Sequence, residues 1–228
     1  MRPNEMKLYE EVMLLALRDE EGTTASGAWY QQAVAGALLA ELLLEGHLRA
    51  TGAGKKRTLE VTGTEATGDP LLDGVVDKIA AARRPATAQT WVGRIAGTRD
   101  LAHDAVTRLC ETGVLRADEG RVLFLFKRRI YPEVNPEPER RLKQRLYEAV
   151  FEDAMDVDAR TVLLISVANA TGLLAANFDR KALKARRQQI DRVVNGDVMG
   201  AATKEAVEAV QAAIMVAAMI PAITATVT

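Results

Sequence analysis

Residues 109–117, "LCETGVLRA", decide the architecture once they are set beside residues 42–50, "LLLEGHLRA". Both fit Leu-x3-Gly-x-Leu-Arg-Ala, and in each the glycine follows an apolar helical run and precedes a β-type run. A glycine so placed takes the left-handed conformation at a helix C-terminus and releases the chain directly into a strand. After the first copy, "GHLRATGAGKKRTLEV" (46–61) reads as a hairpin around a glycine- and lysine-rich turn. After the second, "GVLRADEGRVLFLF" (113–126) reads as another, with "RADEGR" at its tip. The pattern predicts two helix-then-hairpin units of winged-helix outline.

Working outward, apolar spacing and breaker residues predict helices over 6–18, 29–45, 69–83, 88–96 and 100–112. Beyond residue 132 the chain reads as all helical, over 137–154, 158–177, 179–195 and 202–225. "MDVDA", "FDR" and "NGDVMG" supply the caps and turns between these segments. The expected fold is mostly α, a single helical domain over residues 6–228 with one or two short β-hairpins.

The 228 residues are 48% hydrophobic but only 4% aromatic, so the core must be aliphatic. With 30 Lys+Arg against 31 Asp+Glu, the net charge of -1 gives no global attraction to nucleic acid or to an anionic membrane. Any electrostatic function must come from a local patch. The lone cysteine, Cys110, reads as a structural thiol on a helix of a cytosolic chain. The amino terminus enters an amphipathic helix at once, without the pattern of a secretory leader or a lipidation signal, so the expected location is the cytoplasm. Two apolar stretches, Thr161–Phe178 and Ala206–Thr228, are too polar or too interrupted for the roughly 20 residues of a membrane span, and both read as core helices.

Catalysis finds little purchase. His47 and His103 lie far apart with no Cys or carboxylate at ligand spacing, so neither a metal site, a cofactor nor an enzymatic activity is expected. "TGAGKK" (51–56) lacks the first glycine of a phosphate loop and reads as a solvated turn. Residues 102–125 would pass for a recognition helix and wing, but the reading helix offers only Arg99 and Arg108 as basic residues and the wing tip "RADEGR" mixes both signs, so DNA binding stands as a distant alternative and no nucleic acid is expected.

The basic cluster is the remaining candidate. From Lys127 to Arg145 there are seven Lys/Arg (Lys127, Arg128, Arg129, Arg140, Arg141, Lys143, Arg145) against three Glu, a local excess of four. Glu137 to Arg141 and Glu139 to Lys143 are i,i+4 pairs of the stabilising orientation, so charge alone favours a solvated helix face over a binding site.

Five stretches together resemble the Golgi phosphoprotein 3 family: "LYEEVMLLALRDEEG" (8–22), "TGDPLLDGVVDKI" (67–79), "AQTWV" (88–92), "LCETGVL" (109–115) and "DARTVLLISVANATGLLAANF" (158–178). The likeness runs from about Lys7 to Ala225. It implies a mostly helical domain with a short hairpin that binds phosphatidylinositol 4-phosphate on Golgi membranes and acts as an adaptor retaining protein cargo. The family pocket would then fall on Trp29, Arg141 and Gln144, with Arg140 and Arg145 adding attraction. Two departures stand out. Gln144 occupies a position where a basic residue is usual, and the arginine expected inside the second helix has no counterpart in "YQQAVAGALLAEL". Only "MRPNE" precedes the first helix where eukaryotic members carry a coat-binding arm, which implies a minimal homologue.

The resemblance therefore implies a peripheral membrane module that recognises a phosphorylated anionic phospholipid headgroup. The alternative is a protein-interaction scaffold from which the lipid site has been lost. The apolar run Arg121–Phe126 is expected to offer an open strand edge through which two copies could pair.

Overall fold

The computed structural model describes residues 6–17, 29–52, 57–63, 65–122 and 126–199. At its centre lie three helices: α1 (Leu8–Ala16), α2 (Tyr30–Leu44) and α7 (Ala159–Ala170). Every residue of α1 is buried, as are Ala33–Leu42 of α2 and Thr161–Ala168 of α7. Helices enclosed on all sides belong in an interior even where they carry charge, as α1 does at Glu10 and Glu11 and α2 at Glu41, so these three form the axis on which the rest packs. Around them lie α3 (Pro70–Ala80), α4 (Ala88–Ala96), α5 (Leu101–Glu111), α6 (Glu137–Phe151), α8 (Leu173–Asn177), α9 (Arg180–Ala185) and α10 (Arg187–Val194). One apolar cluster runs through all of this from Leu8 to Val198, and it is aliphatic apart from Tyr9 and Trp91. The protein is mostly helical with short antiparallel β-structure, as its sequence predicts.

The two glycine-ended helices share one geometry. Gly46 (φ 78°) and Gly113 (φ 74°) are both left-handed. The N–H of His47 donates to the Leu42 carbonyl at 2.9 Å, and that of Val114 to the Leu109 carbonyl at 3.0 Å. This is the six-to-one closure of a Schellman end, and it buries Leu48 and Leu115 as the first residues past each turn. The first hairpin pairs β1 (Leu48–Thr51) with β2 (Thr58–Val61), as expected. A third strand, β3 (Ala86–Thr87), joins β2 and was not foreseen, because two residues are too few to show an alternating pattern.

The second hairpin departs from expectation. Its strands are β4 (Asp118–Val122) and β5 (Phe126–Ile130), so Asp118–Gly120 sit inside the ladder and not at its tip. The physical reason is the anchoring of the base. Leu115 bridges Glu133, and the N–H of Arg116 donates to the Pro132 carbonyl at 3.0 Å. Counting inward in that register brings Val122 opposite Phe126. Arg121–Phe126 is thus not one strand edge, because Val122 and Phe126 pair with each other; residues 123–125 of that run lie outside the described residues.

Two helices expected to be continuous are broken. The predicted helix 158–177 divides at Gly172 (φ 79°) into α7 and α8. The carbonyl of Thr171, next to this break, accepts from the N–H of Trp29 at 3.1 Å. The predicted helix 179–195 divides at Arg186 into α9 and α10, and the Arg186 guanidinium is held by Asp153 at 2.9 Å and by the Phe151 carbonyl. The helix expected over 202–225 lies outside the described residues. Among the described residues no helix is long and apolar enough to cross a membrane.

Candidate functional site

Among the described residues five carboxylates, Glu10, Glu11, Glu41, Asp69 and Glu139, are buried. Glu41 of α2 is fully buried and receives both guanidinium nitrogens of Arg160 at 2.9 and 2.6 Å, together with the N–H of Leu8 at 2.6 Å. Lys7, whose Nζ lies 2.5 Å from Glu45, approaches Glu41 to 3.9 Å. Glu11 of α1, also buried, accepts from Arg145 of α6 at 2.7 Å. Burial pushes the Glu11 carboxyl up to about 7, against the opposing pull of Arg145. Asp69 caps α3 by accepting from the N–H groups of Leu71 and Leu72, and its second oxygen accepts from the Tyr9 hydroxyl at 2.6 Å. Burial and this hydrogen bond to a carboxylate push the Tyr9 phenol well above its ordinary range. The stretches "LYEEV", "TGDPLLD" and "DARTVLL" are thereby explained as structural: their charged residues tie α1 to α2, α3, α6 and α7.

The outer face of α6 is different. Arg140 and Arg141 are 74% and 77% exposed, and both turn to the single carboxylate of Glu137, Arg141 at 2.5 Å. Gln144 donates to Glu148 at 2.8 Å, and Lys143 pairs with Glu139 at 2.7 Å. Arg140, Arg141, Gln144, Arg145 and Glu148 line a shallow hollow of about 410 Å³. Arg140 and Gln144 also line a second, of about 400 Å³, with Lys143, Tyr147, Phe178 and the carboxylates Glu133 and Glu139. The structure therefore brings four of the five expected site residues onto two turns of one helix.

Trp29 takes another position. It is 48% exposed at the N-cap of α2, is anchored to Thr171, and lines neither hollow. Arg145 is only 31% exposed and is engaged with Glu11, so it faces the core more than the hollow. Sequence reasoning missed Tyr147 and Phe178, which give the second hollow an aromatic wall. The available signal was Tyr147 one turn beyond Lys143 on the face away from Leu142 and Leu146. No basic residue stands in α2, and its exposed opening turn carries Gln31 instead. Arg108, one of two basic residues on which a DNA reading would rely, donates to Glu111 at 2.7 Å and lies 3.8 Å from Asp69, so it serves the fold.

The family model described as Golgi phosphoprotein 3 (GPP34) matches residues 8–210.

Proposed function

The chain belongs to the Golgi phosphoprotein 3 family, and from that premise we propose that it is a peripheral membrane-binding module, with no chemistry of its own, that recognises a phosphorylated anionic lipid headgroup of the phosphatidylinositol 4-phosphate type. The observation that carries this reading is the pair Arg140 and Arg141, both three-quarters exposed and sharing one carboxylate. Two guanidinium groups on one Glu leave a net positive charge, and exposed ion pairs of this kind are worth only about 0–1 kcal/mol. A hydrogen bond from Arg to phosphate is worth about 1.5–3 kcal/mol. A phosphate monoester, carrying about −1.5 to −2 charges against the single charge of a carboxylate, competes with Glu137 for the two guanidinium groups, and ion pairs this weak do not block the site.

In this reading Arg141 contacts the phosphate, Arg140 and Lys143 supply attraction, and Gln144 hydrogen-bonds the ring hydroxyls. Trp29, half exposed at the opening of α2, inserts at the membrane interface, where tryptophan is favoured. The absence of a basic residue from α2 predicts weaker binding than a site with that additional arginine, by one charge-assisted contact.

Co-sedimentation with phosphatidylcholine vesicles, with and without phosphatidylinositol 4-phosphate, tests the proposal on wild type and Arg141→Ala. Pelleting of wild type that depends on the phosphoinositide and is lost in the variant supports it. Equal pelleting in all four cases ends the headgroup reading and leaves the protein-interaction scaffold.

A further inference from the structure

The most basic segment of the chain is not the one that drew attention to α6. Residues 180–192 carry six Lys/Arg (Arg180, Lys181, Lys184, Arg186, Arg187, Arg192) against one acid, Asp191, an excess of five in 13 residues. The fold assigns these cations different tasks. Arg186 is held by Asp153, and Arg192 donates to Gln189. Arg180, Lys184 and Arg187, spaced i, i+4 and i+7 along the path of α9 and α10, instead line one hollow of about 260 Å³ whose apolar wall includes Leu183 and Ile190.

Among the described residues Arg180 and Lys184 have no carboxylate within ion-pair distance, and Arg187 has only the loose, exposed Asp191 at 3.8 Å. Their i, i+4 and i+7 spacing brings the three exposed side chains to one side of α9–α10, where three like charges around a concave surface repel one another and favour an anion between them.

We propose that this hollow between α7–α8 and α9–α10 is a second anion site, separate from the outer face of α6, and that it takes a compact phosphate monoester. Charge selects the ligand class. Three cations less Asp191 leave an excess of two, which matches the roughly −1.5 to −2 of a phosphate monoester and exceeds the single charge of a carboxylate. Size agrees, because the volume lies just below the range of pockets for drug-sized molecules and suits a small group. Arg180 and Arg187 provide planar donor forks and Lys184 a point charge between them. The phosphate belongs either to a free small molecule or to a lipid headgroup. The inference does not depend on the headgroup reading of α6.

Titration of the intact chain with inorganic phosphate, followed by amide NMR, tests it. Saturable shifts confined to residues 180–191 and their α7–α8 neighbours are expected, with roughly tenfold weaker binding in Lys184→Gln, the loss of one charge-assisted contact. Asp191→Asn, which removes the repelling carboxylate, is expected to bind severalfold more tightly. Lys184 and Asp191 are both exposed, and unchanged thermal melting confirms that the two variants fold. No saturation by tens of millimolar phosphate, or equal affinity in all variants, overturns the proposal.

Vesicles separate the two sources. In an Arg140→Ala, Arg141→Ala background, pelleting with phosphatidic acid vesicles that Lys184→Gln abolishes assigns a lipid phosphate. Saturation by inorganic phosphate without such pelleting assigns a free phosphate monoester. Both results uphold the site.

Discussion

Arg141 and Arg145 stand one turn apart on α6 and do opposite things. Arg141 is 77% exposed and rests on a carboxylate of its own helix, whereas Arg145 reaches Glu11, 134 residues away, in the interior. Counting charges along the chain treats the two alike. What separates them is angle: at about 100° per residue, Arg145 lies on the flank of the buried Leu142–Leu146–Ala149 stripe, while Arg141 lies farther round toward solvent. Arg160 repeats the pattern of Arg145: half-buried, it reaches a buried carboxylate, Glu41, on another helix, whereas Arg140 repeats that of Arg141.

The largest expected effect comes from breaking a buried pair. Arg160→Ala leaves Glu41 buried without its two-pronged partner and is expected to destabilise the protein by about 3–5 kcal/mol, read by urea unfolding. A loss below about 1 kcal/mol would mean that the inward charges do not hold α2 and α7 together. Asp69→Ala should follow at roughly 2–4 kcal/mol, because it removes the cap of α3 and orphans the buried Tyr9 hydroxyl.

Glu11 sharpens the contrast through pH. Its carboxyl is raised from an ordinary 4.5 to about 7, so the folded state favours the protonated form more than the unfolded state does. This contribution to stability is fully present below pH 4.5 and is lost as pH rises through about 7. Glu11→Gln removes that decline and flattens the stability profile between these limits by roughly 1–3 kcal/mol, with Arg145 free to turn outward. Unfolding curves at several pH values decide this, and a variant whose profile parallels that of wild type would contradict it. The smallest effect on the fold belongs to Arg141→Ala, expected to shift stability by less than about 0.5 kcal/mol, as thermal melting will show.

Much of this fold is legible in the sequence because the signals are local. The glycines at 46 and 113 end their helices as their pattern demands, and Asp69 and Asp158 cap theirs. What escaped notice was long-range or conditional. "ADEG" has turn chemistry, but the register set by Leu115 and Glu133 draws it into a ladder. Gly172 was visible, yet the apolar residues on both sides concealed the break it makes. Glu11 and Glu41 look like surface residues of amphipathic helices until their partners arrive from 134 and 119 residues away. The candidate site was half legible: Arg140, Arg141 and Gln144 lie together on the outer side of α6 because they follow one another around its solvent arc, whereas Arg145 turns to Glu11 and Trp29, on another element, lines neither hollow.

The most direct measurement is vesicle co-sedimentation of the Arg140→Ala, Arg141→Ala double variant beside wild type, with thermal melting of both. The account predicts an unchanged melting temperature and at least tenfold weaker binding to vesicles containing phosphatidylinositol 4-phosphate, the loss of roughly one or more charge-assisted contacts. Equal binding by the two proteins, or a fall in binding that accompanies a fall in melting temperature, would contradict the division between arginines that build the fold and arginines that meet the ligand.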